Sequence, residues 1–178
     1  MQEWINSKEG IGQMIGGKCI CWGRQDLSKL KNRIKTINKK FIKVDQKLLD
    51  KLIILLTDYQ KKKLGINGII HGDPVFSNIF IDYQGSIIFI DPRGGQLKNF
   101  SLYGDIIYDY AKIYQSLIGY DFHLFNFIPQ KNNNLIRAFE KIFIEKFSKQ
   151  HFDYLKIITA SLYLTLIPFH KKELSTKF

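Results

Sequence analysis

Leu48, Leu49, Leu52, Leu55, Leu56 and Tyr59 recur at three- and four-residue steps, and a short way beyond them, at Gly65-Ile66-Asn67-Gly68, that rhythm stops. The first pattern is the stripe an amphipathic helix buries, so a helix over Asp45 to Lys63 is expected. Glycine and asparagine then tolerate the turn conformations that a helix end requires. Beyond the break the chain changes period. Ile69-Ile70, Ile79 to Ile81 and Ile87 to Ile90 are short β-prone runs, and Asp82-Tyr83-Gln84-Gly85 between the last two carries the residues of a hairpin turn. The expected fold for this chain therefore contains a small hairpin between helical segments.

Helical spacing appears on both sides of that hairpin. Gln25 to Phe41 precedes it; Asp105 to Ile118, Leu135 to Lys149 and Phe152 to Leu166 follow. The loops between them are marked by the polar, glycine-bearing stretch Pro92 to Ser101, and by Pro129, Lys131 and Asn132-Asn133-Asn134. The expected class is α+β, mostly α-helical, in the order helix, helix, small hairpin, three helices. Met1 to Arg24 is glycine-rich and without helical period, and reads as an irregular leader or linker. With 178 residues, 45% hydrophobic and 14% aromatic, the chain can build one core, so residues 1–178 are expected to form a single domain.

Composition narrows the chemistry. No run of about 18 or more uncharged apolar residues occurs, and MQEWINSKEG lacks the basic-then-apolar order of a signal peptide. A cytoplasmic protein with no membrane partner is expected. Cys19 and Cys21 are too close for an unstrained disulfide and read as reduced thiols. His71, His123, His151 and His170 show none of the paired spacing of zinc motifs. The formal charge of +11, from 27 Lys and Arg against 16 Asp and Glu, suits anionic partners. The basic residues cluster in Lys29 to Lys63 and at Lys171 and Lys172, where a solvated helix face accounts for most of them. No RNA-binding aromatic signature, zinc finger or basic zipper accompanies them, so nucleic acid is not the expected partner.

The informative segment is Ile70-His71-Gly72-Asp73-Pro74-Val75-Phe76-Ser77-Asn78. It sets an Asp and an Asn five residues apart in a loop flanked by apolar runs. Kinase catalytic loops share that layout: the Asp accepts or orients the acceptor hydroxyl's proton, and the Asn holds magnesium. Asp91, at the end of the run Ile87 to Ile90, is a third candidate, since magnesium bridging nucleotide phosphates needs a carboxylate. Phosphoryl transfer asks for positioning and charge neutralisation, which these residues can supply. Asp105 also has a plain reading as a helix N-cap, and Tyr108, Tyr110 and Tyr114 at helical steps read first as core.

With those residues in view, Ile70 to Asp91, IHGDPVFSNIFIDYQGSIIFID, resembles the HGD-x-x-x-x-N and following Asp motifs of aminoglycoside phosphotransferases, choline kinases and related metabolite kinases. Gly104-Asp105-Ile106-Ile107-Tyr108-Asp109-Tyr110-Ala111-Lys112 is similar to the G-D-P-x-x-D-L-A segment that opens the next helix there. The resemblance implies a protein kinase-like C-terminal lobe whose hairpin carries the catalytic and metal loops. It implies Asp73 as catalytic base, Asn78 and Asp91 as magnesium ligands, His71 as a catalytic-loop residue of stabilising role, and Asp105 and Asp109 as structural support. Mg2+ and ATP, or another nucleoside triphosphate, are the implied cofactor and donor, and a small-molecule hydroxyl the acceptor. Asp91-Pro92-Arg93-Gly94 resembles phosphotransferases linked to bacterial sugar or capsule metabolism more than antibiotic-modifying enzymes. Arg93 is equally open to a phosphate contact and to pairing with a nearby carboxylate such as Asp105 or Asp109. Asp73→Asn is expected to abolish turnover and leave folding nearly intact.

The chain departs from that family before His71. A complete β-lobe for the nucleotide would have to fit in roughly two dozen residues ahead of two helices. Gly10-Ile11-Gly12-Gln13-Met14-Ile15 lacks the last glycine of G-x-G-x-x-G, Gly16 and Gly17 do not complete it, and Lys18 could serve a nucleotide only from a strand. The complete nucleotide lobe is expected to be absent: the chain reads as a truncated frame with a missing N-terminal lobe, as a half that pairs with a separate nucleotide-binding chain, or as a binding protein that kept the fold and lost activity. Two alternatives stand beside the phosphotransferase: a non-catalytic binding or scaffold protein of kinase-like fold, and a basic nucleic-acid binder resting on charge alone.

Overall fold

The computed structural model describes residues 45–93, 103–124 and 133–167, together with Leu30 and Asn32. The expected irregular stretch Met1 to Arg24, most of the helix Gln25 to Phe41, and the glycines and Lys18 weighed for nucleotide binding lie outside the described residues. What is described is α+β and mostly helical.

Helix α1 (Gln46–Lys61) begins at Asp45, whose side chain accepts from the N–H groups of Lys47 and Leu48. Such a cap satisfies donors that have no partner within the first turn. The helix buries Leu49, Leu52, Leu56 and Tyr59, while Leu48, one position off the stripe, is exposed. It ends two residues earlier than its periodicity suggests. The left-handed residue that follows is Lys63 (φ 52°), not a glycine.

The glycines of the break have a different job. A Cβ on Gly65 would lie 2.9 Å from Asp105 Oδ2, and one on Gly68 would lie 2.7 Å from Ile106 Cγ2. They let the chain pass against the start of a later helix. There Asn67–Ile69 (β1) pairs antiparallel with Tyr103–Asp105 (β4), in register Asn67 with Asp105 and Ile69 with Tyr103. Between them Ile79–Ile81 (β2) and Ile87–Phe89 (β3) form the expected hairpin, Ile79 opposite Phe89. Asp82 closes its turn by accepting from Gln84 and Ser86 N–H groups, each at 2.8 Å, and Gly85 takes φ +82°. The two sheets are separate and two-stranded.

Helix α2 (Ile106–Leu117) runs from β4 and is followed by the short α3 (Tyr120–Leu124). Helices α4 (Asn133–Lys146) and α5 (Lys149–Leu166) complete the bundle, with Ser148 capping α5 through the His151 N–H. Helix α5 is the central element, packing against α2, α1 and α4. The core joins Leu52, Leu56 and Tyr59 of α1 to Ile107 and Ala111 of α2, Phe143 of α4, and Phe152, Leu155 and Ile158 of α5. Tyr108 and Tyr114 belong to that core as expected, and Tyr110 packs against it from its edge, touching Phe139, Phe143 and Phe147. Among the described residues no helix is long and apolar enough to cross a membrane.

Candidate functional site

The segment from Ile70 to Asn78 leaves β1 as an irregular loop and enters the hairpin through a single 3-10 turn, Phe76–Asn78. Helix α2 holds this loop from below. Asp109 accepts from two consecutive main-chain donors, His71 N–H at 2.6 Å on Oδ2 and Gly72 N–H at 2.9 Å on Oδ1. Ser116 Oγ accepts from Phe76 N–H at 3.1 Å, one end of the helix to the other. Burial pushes the Asp109 carboxyl upward from its ordinary value, against the pull of those two amides. Gly72 has φ +84°, and a Cβ there would lie 2.6 Å from the Arg93 carbonyl oxygen, so only glycine fits.

Asp105 supports the same region one turn earlier. Its Oδ1 accepts from Ile107 N–H at 3.1 Å, capping α2, and from Ile66 N–H at 3.0 Å. Its Oδ2 takes the Tyr59 phenol at 2.5 Å. The group is buried, which raises its carboxyl above the usual range despite three donors. Asp105 and Asp109 thus both serve main-chain N–H groups, and Arg93 pairs with neither.

Arg93 pairs instead with Asp73. The Asp73 carboxylate is buried, with Arg93 Nη2 at 2.9 Å from Oδ2 and Lys112 Nζ at 3.0 Å from Oδ1. The two cations differ in setting: the Arg93 side chain is 65% exposed and the Lys112 side chain 8%. In the sequence Lys112 stands only as the last residue of the Gly104 to Lys112 segment. A lysine on a helix ordinarily reads as solvated, and the one available signal is its place three residues after Asp109, on the face that meets the loop.

Asn78 turns its amide into the loop, Nδ2 donating to the Asp73 carbonyl at 2.9 Å, which leaves Oδ1 as the atom able to coordinate a cation. Main-chain bonds bring the end of β3 alongside: Ile90 N–H donates to the Asn78 carbonyl at 3.0 Å, and Arg93 N–H to the His71 carbonyl at 2.8 Å. Asp91 lies between those two ties. It is exposed and adopts φ +54°, a left-handed conformation uncommon outside glycine, asparagine and aspartate.

His71 is occupied at both ring nitrogens. Nε2 donates to the Ile90 carbonyl at 2.9 Å, and Nδ1 accepts from Asp73 N–H at 3.3 Å. One tautomer, with the proton on Nε2, serves both. That ring fastens the loop to the end of β3, and both of its nitrogens are engaged in doing so.

Among the described residues no group of three or more His, Cys, Asp or Glu side chains is placed to hold a metal ion. The sequence-derived pair, Asn78 and Asp91, is an amide oxygen and one carboxylate. That donor set suits magnesium, which is commonly bound by one or two carboxylates plus waters and substrate phosphates, and is too sparse for a metal held by protein alone. No family model, curated protein or solved structure is similar enough to this chain to match it.

Proposed function

We propose that this chain is the catalytic lobe of a kinase-like phosphotransferase, moving a phosphoryl group from a nucleoside triphosphate to a hydroxyl of a small metabolite such as a sugar or amino alcohol. The observation that carries the reading is the loop itself. A buried carboxylate, Asp73, and an amide, Asn78, are locked together by the bond from Asn78 Nδ2 to the Asp73 carbonyl. The ties from Ile90 and Arg93 then deliver Asp91 to the same loop. Asp73 would take the acceptor proton; Asn78 and Asp91 would hold magnesium, which when bound neutralises charge on the phosphates. His71, Asp105 and Asp109 keep the loop in shape, and Arg93 offers a planar guanidinium to a phosphate.

The test is incubation of the full chain with γ-labelled ATP, magnesium and a panel of hexoses, amino alcohols and aminoglycosides, beside the Asp73→Asn variant. Transfer of label to one acceptor class, abolished in the variant, is expected. Failure of every acceptor to take label, together with the absence of magnesium-dependent ATP binding by calorimetry, would remove the proposal.

A second reading has its own support: both Asp73 oxygens are already paired, as in a structural ion pair of a non-catalytic kinase-fold scaffold. It predicts that nucleotide leaves the environment of Asp73 unchanged.

A further inference from the structure

The same carboxylate that must accept a proton is engaged on each oxygen by a cation, and the two cations are unequal. Lys112 is enclosed between α2 and the loop, where an ammonium without its counter-charge is strongly disfavoured. It has no reason to leave. Arg93 is mostly in solvent, and its fork of donors fits phosphate oxygens at least as well as a single carboxylate oxygen. Its main chain is pinned to the loop through the bond to the His71 carbonyl, so exchange needs only a side-chain swing. The exposed pair is the weak one, because solvent screens it and competes for both groups.

We propose that Arg93 is an exchangeable clamp: a phosphate-bearing ligand draws its guanidinium off Asp73 Oδ2, and that exchange exposes the oxygen on which the acceptor hydroxyl docks. Lys112 stays on Oδ1 as the positioning residue, keeping the carboxylate aimed while its other partner departs. The proton step rests on the phosphotransferase reading. In it the acceptor O–H proton passes to Asp73 Oδ2 as the acceptor oxygen bonds to the γ-phosphorus. The bond from that phosphorus to the β-bridging oxygen breaks, and the nucleoside diphosphate leaves with the electron pair. The arrangement couples the two halves of the reaction: without donor phosphate the base is covered, and with it the base is open. The clamp itself needs only that phosphate compete with Asp73 for Arg93.

Two arms separate these claims. In the first, the side-chain Nε–H resonance of Arg93, identified by its loss in Arg93→Gln, is followed as magnesium tripolyphosphate is added to the full chain. A saturable shift is expected. In Asp73→Asn, which removes the competing charge, half-saturation should fall by about fivefold or more. No shift by about 10 mM, beyond the range of even weak specific binding, overturns the clamp. So does an Asp73→Asn variant that binds no tighter.

In the second arm, magnesium-ATP turnover is measured on Lys112→Met and Lys112→Arg. Lys112→Met should lower kcat by roughly 10- to 100-fold with KM for ATP within about twofold, and Lys112→Arg should recover part of the loss. A rise in KM with kcat unchanged would overturn the positioning role. Should Lys112→Met not fold, Lys112→Arg against wild type carries the comparison: a lowered kcat with KM for ATP within about twofold is expected, and a rise in KM with kcat unchanged overturns the positioning role. If wild type neither turns over nor binds magnesium-ATP while the Arg93 resonance still responds to tripolyphosphate, the phosphotransferase reading falls and the clamp stands as a phosphate-sensing contact.

Discussion

Asp109 accepts from the main-chain N–H groups of His71 and Gly72, so a helix carboxylate, rather than a neighbouring strand, sets the path of the loop that carries Asp73. Burial raises this carboxyl above 3.8, its ordinary value. A group with a raised value keeps its proton to higher pH in the folded chain than in the unfolded one. The folded state therefore binds more protons in that window, and the group's contribution to stability falls as pH rises through it. The stability of wild type minus that of Asp109→Asn should thus shrink as pH rises above 3.8, measured by urea unfolding. A gap that widens with pH would contradict the assignment. Asp58, Asp82 and Asp153, whose values are lowered by hydrogen bonds, respond with the opposite sign but are common to both proteins and cancel.

Asp73→Asn is expected from the loop sequence to leave folding nearly intact, but in the structure it strands the buried Lys112. Removing one partner of a buried pair costs about 3–5 kcal/mol, and removing both costs far less. Asp73→Asn should lower stability by about that amount, Lys112→Met by less because Arg93 still pairs with Asp73, and the double variant should recover most of the Asp73→Asn loss. Chemical denaturation of the four proteins tests this, and additive losses would refute the pairing.

Gly72 and Gly85 share a left-handed backbone but not a neighbourhood. An added Cβ on Gly72 meets the Arg93 carbonyl at 2.6 Å, whereas nothing lies within 4 Å of one on Gly85. Gly85→Ala should cost about 1–2 kcal/mol from backbone strain alone. Gly72→Ala should cost about 3 kcal/mol or more, since the loop or the Asp91-Pro92-Arg93 segment must shift. Equal melting-temperature losses in the two variants would show that the close approach is not important.

Tyr59 supplies the buried Asp105 carboxylate with its phenol. Tyr59→Phe keeps the ring in the core and deletes only the donor, leaving an acceptor short in a desolvated site. A loss of about 1.5–3 kcal/mol is expected, as for hydrogen bonds to charged groups. A change under about 0.5 kcal/mol, the level of a neutral surface substitution, would mean that Asp105 is satisfied without it.

The helices and the hairpin were legible because each is written in local periodicity: the stripe through Leu49, Leu52, Leu56 and Tyr59, and the isoleucine runs either side of Asp82 to Gly85. Strand β4 was not. Three residues, Tyr103–Asp105, carry no readable period, and only their partner Asn67–Ile69, distant in sequence, makes them a strand. Gly65 and Gly68 were legible as a break but not as close approaches to Asp105 and Ile106, since the approaching atoms belong to a later element. The short α3 gave no signal either. At the site, the spacing of Asp73, Asn78 and Asp91 was visible, and Asp105 and Asp109 could be named as supports. Lys112 could not be named, because its counter-charge comes from another element and a helical lysine ordinarily signals solvent.

The bonds that tie the loop and its approach to β4 and α2 are long in sequence: 46 residues separate Tyr59 from Asp105, 39 separate Ile66 from it, and 38 and 37 separate His71 and Gly72 from Asp109. Each requires closing the intervening chain before it yields any free energy, whereas α1 is built from contacts a turn apart. During refolding, protection of the His71 and Gly72 amides from hydrogen exchange should accordingly lag that of α1. On the ribosome, a nascent chain that has not yet reached Asp109 can hold α1, but the loop bearing Asp73 lacks the Asp109 ties.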